Sequence, residues 1–366
     1  TAAAPTTTAA APMTTLPSKR PPSRPSADPD LCKLADHRGI DGFTYEEPMV
    51  SGVDYTNRNT DLDRGMVHLN PQYSHGFPLP EGMLSSTGTL GVAFLAIDFT
   101  DSPGSDHQLT EIQRVAKELN EYWAFQSGGK FQMDFRFGDQ VFHVPKDSAI
   151  YGLQSSPAPA RELTAEVLQI ADPFMDLTGV QSVFMLIPEG NTNIAQDWHQ
   201  PPFPGRKTSG GPFGEGSILT DEGRVLAWSG NGFVFERAEV KRRGGVAMFY
   251  VHETLHDMGI TDLYLWEPWT PGVIYKGGDT KLPMGEWDVM QDQNGNTREV
   301  IAWHKWLLGW LDDDQVYCIP SESLTDLEVS LSPLTRTADG YKAAVIPVSE
   351  RKVIVIESRR QEGYSA

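Results

Sequence analysis

Apolar residues follow three different rhythms along this chain, and each predicts an element. Residues 90–97 (Leu-Gly-Val-Ala-Phe-Leu-Ala-Ile) form an uninterrupted apolar run, the pattern of a central strand covered on both faces. Past the turn signal Ser102-Pro103-Gly104, residues Ile112, Val115, Ala116, Leu119, Tyr122 and Trp123 recur at helical spacing and stop at Ser127-Gly128-Gly129. Phe131, Met133, Phe135 and Phe137 then alternate with polar residues, which predicts a half-buried strand. A second helix is expected over 161–171, and 180–187 reads as another inner strand. The apolar run 246–251 opens a third helix. Strand, helix, strand, helix, strand and helix in this order predict an α/β layer structure, or an α+β variant of it.

The rest of the chain is less regular. Residues 1–30 are almost entirely Thr, Ala, Pro and Ser; with so little apolar surface to offset ordering entropy they read as a disordered linker, open to O-glycosylation. Residues 31–86 are polar and turn-rich, an N-terminal extension or the remnant of a pro-segment. Between 188 and 245 the chain is rich in Gly, Pro, Asn and Trp. A stretch this long usually has a function of its own, here the rim of a cleft with short hairpins around 225–228 and 233–235. From 312 to 366 the pattern turns β-rich, with strands expected at 342–348 and 352–356. It reaches Ala366 without a stop signal, which predicts that the protein continues.

Composition narrows the classes. The 366 residues, 39% hydrophobic and 10% aromatic, suffice for one large or two moderate domains. The formal net charge of −19 argues against nucleic acid or an anionic membrane as partner. No run approaches the roughly 20 apolar residues of a membrane helix. No leader is visible, and a start at Thr1 rather than Met is consistent with one already removed. Cys32 and Cys318 form no metal-ribbon spacing. They leave three readings: one disulfide joining the two ends of the chain, a Cys32 thiolate capping a metal in a latent form, or separate free thiols.

The candidate chemistry lies at His252-Glu253-Thr254-Leu255-His256. On a helix the two imidazoles stand one turn apart on one face and can reach a single metal ion. Glu253 is then placed as general base for a water molecule at the metal. Gly259 lets the chain turn sharply off the helix, which can carry Asp262 back as a third ligand. Glu267, Asp288 and His304 are the other candidates for that third position. Two histidines and a carboxylate with an open position are the ligand set of a catalytic zinc site. The same spacing leaves Asp257 near the ligands or on the helix surface.

Three segments together resemble the immune inhibitor A family of secreted bacterial metallopeptidases. These are His252-Glu-Thr-Leu-His-Asp-Met-Gly-Ile-Thr-Asp-Leu-Tyr264, Gly285-Glu-Trp-Asp-Val-Met290 and Ala302-Trp-His-Lys-Trp-Leu-Leu-Gly-Trp-Leu311, and the likeness extends over roughly residues 87–360. The chain departs from the family pattern at Leu255, where a small residue is usual, and at Thr261, where proline is usual. The resemblance implies a metzincin-like zincin domain over 87–311 with a twisted sheet, a motif-bearing helix and a C-terminal subdomain, followed by the β-rich segment 312–366. It implies zinc held by His252, His256 and Asp262, Glu253 as the catalytic base, and Met290 as an apolar base beneath the ligands. It also implies an extracellular monomeric endopeptidase acting on protein or peptide substrates, with Tyr264 or Tyr275 as a candidate oxyanion donor. Calcium is a second candidate cation, with Asp98, Asp101, Asp292 and Asp312-Asp313-Asp314 as scattered ligands. Two other readings of the chain are a catalytically silent binding or adhesion module on the same fold, and a zinc hydrolase of a non-peptide amide or a glycosylated substrate.

Overall fold

The computed structural model describes residues 25–35, 74–79, 83–151, 157–191, 193–194, 197–198, 218–225, 230–234, 245–261, 263, 286–293, 295, 297–323, 326–337, 339–350 and 352–365. The first apolar run becomes strand β1 (Gly88–Phe99). Its residues alternate between two cores. Val92, Phe94 and Ala96 face helix α1 (His107–Ser127), while Ala93, Leu95, Ile97 and Phe99 face helix α2 (Pro157–Ala171). Strand β4 (Val180–Ile187) repeats the division, with Phe184 and Leu186 on the α1 side and Val183, Met185 and Ile187 on the α2 side. A strand buried on both faces has no polar period, which is why 90–97 and 183–187 read as unbroken apolar runs. Each fully buried aliphatic or aromatic side chain contributes about 1.5–3 kcal/mol, so this pair of strands anchors the fold.

Among the described residues the main sheet has six strands in the order β2 (Phe131–Phe137), β1, β4, β8 (Gly230–Val234) and β5 (Asp197–Trp198), with β3 (Phe142–Val144) beside the end of β1. All pairings in this sheet are parallel except β5 with β8. β1 is long enough to take two neighbours on one edge: β2 pairs with residues 88–94 and β3 with 97–99. The expected helix stop is realised at Gly128, which adopts φ 63° and closes α1 with its N–H on the Ala124 carbonyl.

Three expectations change. Helix α2 begins at Pro157, four residues before the expected start; proline fits a first helical turn, where its missing N–H has no intrahelical acceptor. The segment expected as a rim hairpin near 233–235 is in part an inner strand, since 230–234 pairs parallel to β4. Among the described residues a hairpin forms from β6 (Ile218–Thr220) and β7 (Gly223–Val225), ending where the expected one begins; residues 226–228 of the latter lie outside the described residues.

Helix α3 (Gly245–Asp257) carries the His-Glu motif. It is buried all round from Ala247 to Asp257, and so lies inside the protein rather than on its surface. Downstream, α4 (Ala302–Leu307) packs through Trp303 and Trp306 on Leu334, Ala343 and Val345. The last two belong to a three-stranded sheet ordered β11 (Lys352–Glu357), β10 (Ala343–Ser349) and β9 (Val316–Cys318), which matches the β-rich expectation. The N-terminal pieces are tied to this region. Cys32 and Cys318 form a disulfide, which sets aside the thiolate-cap and free-thiol readings. The Ala27 N–H donates to the Cys318 carbonyl, and the Phe77 ring packs edge-on against Trp303 and Trp306. No helix among the described residues is long and apolar enough to cross a membrane.

Candidate metal centre

Helix α3 is set on the sheet by Tyr250. Its ring stacks on Phe184 with centroids 4.6 Å apart, meets Phe94 edge-on, and its hydroxyl donates to the Met185 carbonyl at 2.8 Å. Burial pushes this phenol well above its ordinary pKa, so it stays a neutral donor. At about 100° per residue, His252 and His256 lie roughly 200° and 240° around the helix from Tyr250. Docking one face on the sheet therefore turns both histidines away from it.

The helix then ends in a Schellman turn. The Gly259 N–H bonds the His256 carbonyl at 2.8 Å and the Ile260 N–H bonds the Leu255 carbonyl at 2.9 Å, with Gly259 at φ 97°. Leu255 and Ile260, which such a turn brings together, are both fully buried. The turn has a second effect: it carries the Ile260 carbonyl to 2.8 Å from Nδ1 of His256. Nδ1 of His252 likewise lies 3.0 Å from the Val289 carbonyl. A carbonyl only accepts, so Nδ1 of each ring carries a hydrogen; in a neutral imidazole so held, Nε2 is the nitrogen with the lone pair. Fixing imidazoles through the nitrogen that faces away from the metal is the usual outer-shell arrangement of zinc-ligating histidines.

The rings fit one ion. With Zn–N bonds of about 2.1 Å and a nearly tetrahedral angle, two imidazoles sharing a zinc have centroids about 5 Å apart. The His252 and His256 centroids are 4.8 Å apart with planes at 89°. His252, His256 and Glu253 are all buried, at 5%, 4% and 8% exposure.

The Val289 carbonyl belongs to a tight turn at 288–292. The Gln291 and Asp292 N–H groups both return to the Asp288 carbonyl at 3.0 Å. Met290 is fully buried and belongs to the same core cluster as Met258 and Ile260. Its carbonyl accepts from the Leu263 N–H at 3.0 Å, which links the turn to the chain leaving α3. Asp288, one of the alternative third ligands, has both oxygens on backbone N–H groups, Met290 at 2.6 Å and Ile301 at 2.6 Å. His304, another alternative, is 1% exposed with Nδ1 3.8 Å from Asp288 Oδ2. Burial lowers its pKa, opposed by Asp288 and Glu357. Asp288 thereby braces the turn.

A buried charged layer behind the turn was not anticipated. Glu299 is fully buried and Lys305 is 3% exposed. Burial pushes the Lys305 ammonium down to about 8, against the pull of Glu299. Glu357 accepts the Ala302 N–H at 2.7 Å and the Arg359 Nε–H at 2.5 Å. Charged residues in a sequence read as exposed, so only the neighbouring tryptophans hinted at this burial. Asp257 is fully buried, which sets aside its reading as helix surface; its carbonyl accepts the Leu84 N–H.

Asp262, Glu267, Tyr264, Tyr275 and Gly285 lie outside the described residues. The expected calcium ligands are largely engaged by protein donors. Asp98 accepts the Gly104 N–H and meets His143, Asp101 accepts from Ser148 and Asn193, Asp312 pairs with Lys130 and Asp313 with Lys33. Carboxylates of Asp172, Asp221 and Glu222, which the sequence did not single out, converge within 4.8 Å of one another. No family model matches the chain, and no curated protein matches it.

Proposed function

We propose that this chain is a zinc-dependent endopeptidase of the metzincin-like zincin group, exported from the cell and related to the immune inhibitor A family through its three motifs. The observation that supports this reading best is the pair of buried histidines one helical turn apart, each with Nδ1 on a backbone carbonyl and their ring centroids 4.8 Å apart. His252 and His256 would hold the zinc, with Asp262 as third ligand. Bound zinc would polarise the substrate carbonyl and lower the pKa of water beside it.

Glu253 adjoins the first histidine and takes the proton from water as its oxygen adds to the peptide carbonyl carbon. The carboxylic acid so formed returns that proton to the amide nitrogen, the C–N bond breaks, and the new carboxyl group passes its own proton to the amine, giving a carboxylate and an ammonium group. The test is zinc content together with chelator-sensitive cleavage of casein. Glu253→Ala should keep the zinc and lose cleavage; a metal-free wild-type protein or an active Glu253→Ala would overturn the reading.

A further inference from the structure

Asp288 is an acidic residue with no exposure to solvent, placed between the two halves of the site's support. Oδ1 accepts the Met290 N–H and Oδ2 the Ile301 N–H, each at 2.6 Å. Two backbone N–H groups at this distance hold one buried carboxyl group from both sides. The first bond folds the turn on itself; the second ties it to the start of α4. Between Asp288 and Met290 lies Val289, whose N–H donates to the Glu299 carbonyl at 3.1 Å and whose own carbonyl accepts from His252 Nδ1. The direction of that carbonyl is thus set on both sides by Asp288 and by the Glu299 strand of chain. His256 takes its Nδ1 partner from Ile260, within the turn that ends α3, and owes nothing to Asp288.

We infer that Asp288 is a positioning residue: by clamping the 288–290 turn to α4 it aims the Val289 carbonyl at His252 and holds that one imidazole with its hydrogen on Nδ1. The ring's orientation stands by itself; its use for zinc rests on the function proposed above. Removing the carboxylate frees the turn and lets His252 populate the other tautomer, while His256 keeps its own. Partners of this kind change zinc affinity by about 10–100-fold.

The experiment uses the full chain with 15N-labelled histidine. NMR of the metal-free wild type and Asp288→Asn reads the tautomer of each ring, and chelator competition reads zinc affinity. Asparagine keeps the size and one acceptor oxygen, so it preserves the fold better than Asp288→Ala, which serves as the larger perturbation. The expected result is Nδ1–H at both histidines in the wild type, a mixed population at His252 alone in Asp288→Asn, and zinc bound about 10-fold more weakly. Unchanged His252 in a folded variant would overturn the inference, as would equal disturbance of His252 and His256, which would mark Asp288 as a general scaffold residue. Absence of zinc binding in the wild type, with the tautomer shift still present, would refute the proposed function and leave the positioning role standing.

Discussion

Gly259→Ala isolates how the helix terminus shapes the metal centre. Gly259 sits at φ 97°, past the left-handed basin near about +57°. A Cβ in that basin costs about 1–2 kcal/mol, so the upper end, about 2 kcal/mol, is expected here. The backbone has two responses. It can hold its shape and lose that stability, or it can relax and withdraw the Ile260 carbonyl from His256 Nδ1 and the Gly259 carbonyl from the Ser74 N–H, now 2.7 Å away. Relaxation gives up two bonds of about 1 kcal/mol each, so both routes cost nearly the same. With a urea dependence of about 3 kcal/mol/M, the midpoint falls by about 0.7 M. Relaxation also weakens zinc binding by about 10-fold, the lower end for a lost outer-shell partner. Gly259→Asn recovers part of both effects, because asparagine tolerates the left-handed region better than alanine. An alanine variant with wild-type midpoint and wild-type zinc affinity would refute the argument that this turn sets the His256 ring.

Three further outcomes are expected. Tyr250→Phe removes only the hydroxyl on the Met185 carbonyl and should cost about 1 kcal/mol in chemical denaturation, with zinc affinity unchanged because the ring stack remains. Glu253→Gln should lower kcat by about 10²–10⁴-fold with zinc content intact, read by casein cleavage and metal analysis. For Lys305, burial holds the folded pKa at about 8 against 10.5 for the ordinary ammonium. Between these values the unfolded chain binds a proton that the folded one does not, so stability rises with pH across that window. The cost is fully present below pH 8 and is relieved toward 10.5. Measured against Lys305→Met, the wild type should gain about 3 kcal/mol over that range; a difference independent of pH would show that Lys305 keeps its ordinary affinity for protons.

The two-sided core was legible because burial on both faces leaves an unmistakable trace. β1, β4, α1 and its glycine stop all fall where periodicity predicted them. The His-Glu helix was equally readable, since Gly259 announces its end. β8 was not, because Gly-Asn-Gly-Phe-Val has too few apolar positions to show a period, and its place beside β4 comes from pairing rather than pattern. β3, three residues long, is short for the same reason. At the centre itself, His252 and His256 were visible by spacing, but the carbonyls that orient them were not: main-chain acceptors have no sequence signature. Asp288 was visible only as a carboxylate that could reach a metal. Its bonds to Met290 and Ile301 depend on a turn whose shape no local rule specifies.

The bracing of the 288–290 turn reaches far along the chain, and this has a consequence for timing. Glu357 receives the Ala302 N–H at the start of α4, and the Arg359 guanidinium donates to the Trp287 carbonyl and covers its ring. Both residues follow α3 by about a hundred positions. At synthesis rates of about 5–20 residues per second, that interval lasts about 5–20 s. Through it the nascent polypeptide carries its histidines while the brace for the turn that orients His252 is still unmade. Completion of the centre therefore waits for Glu357 and Arg359 and is not set by the emergence of the motif.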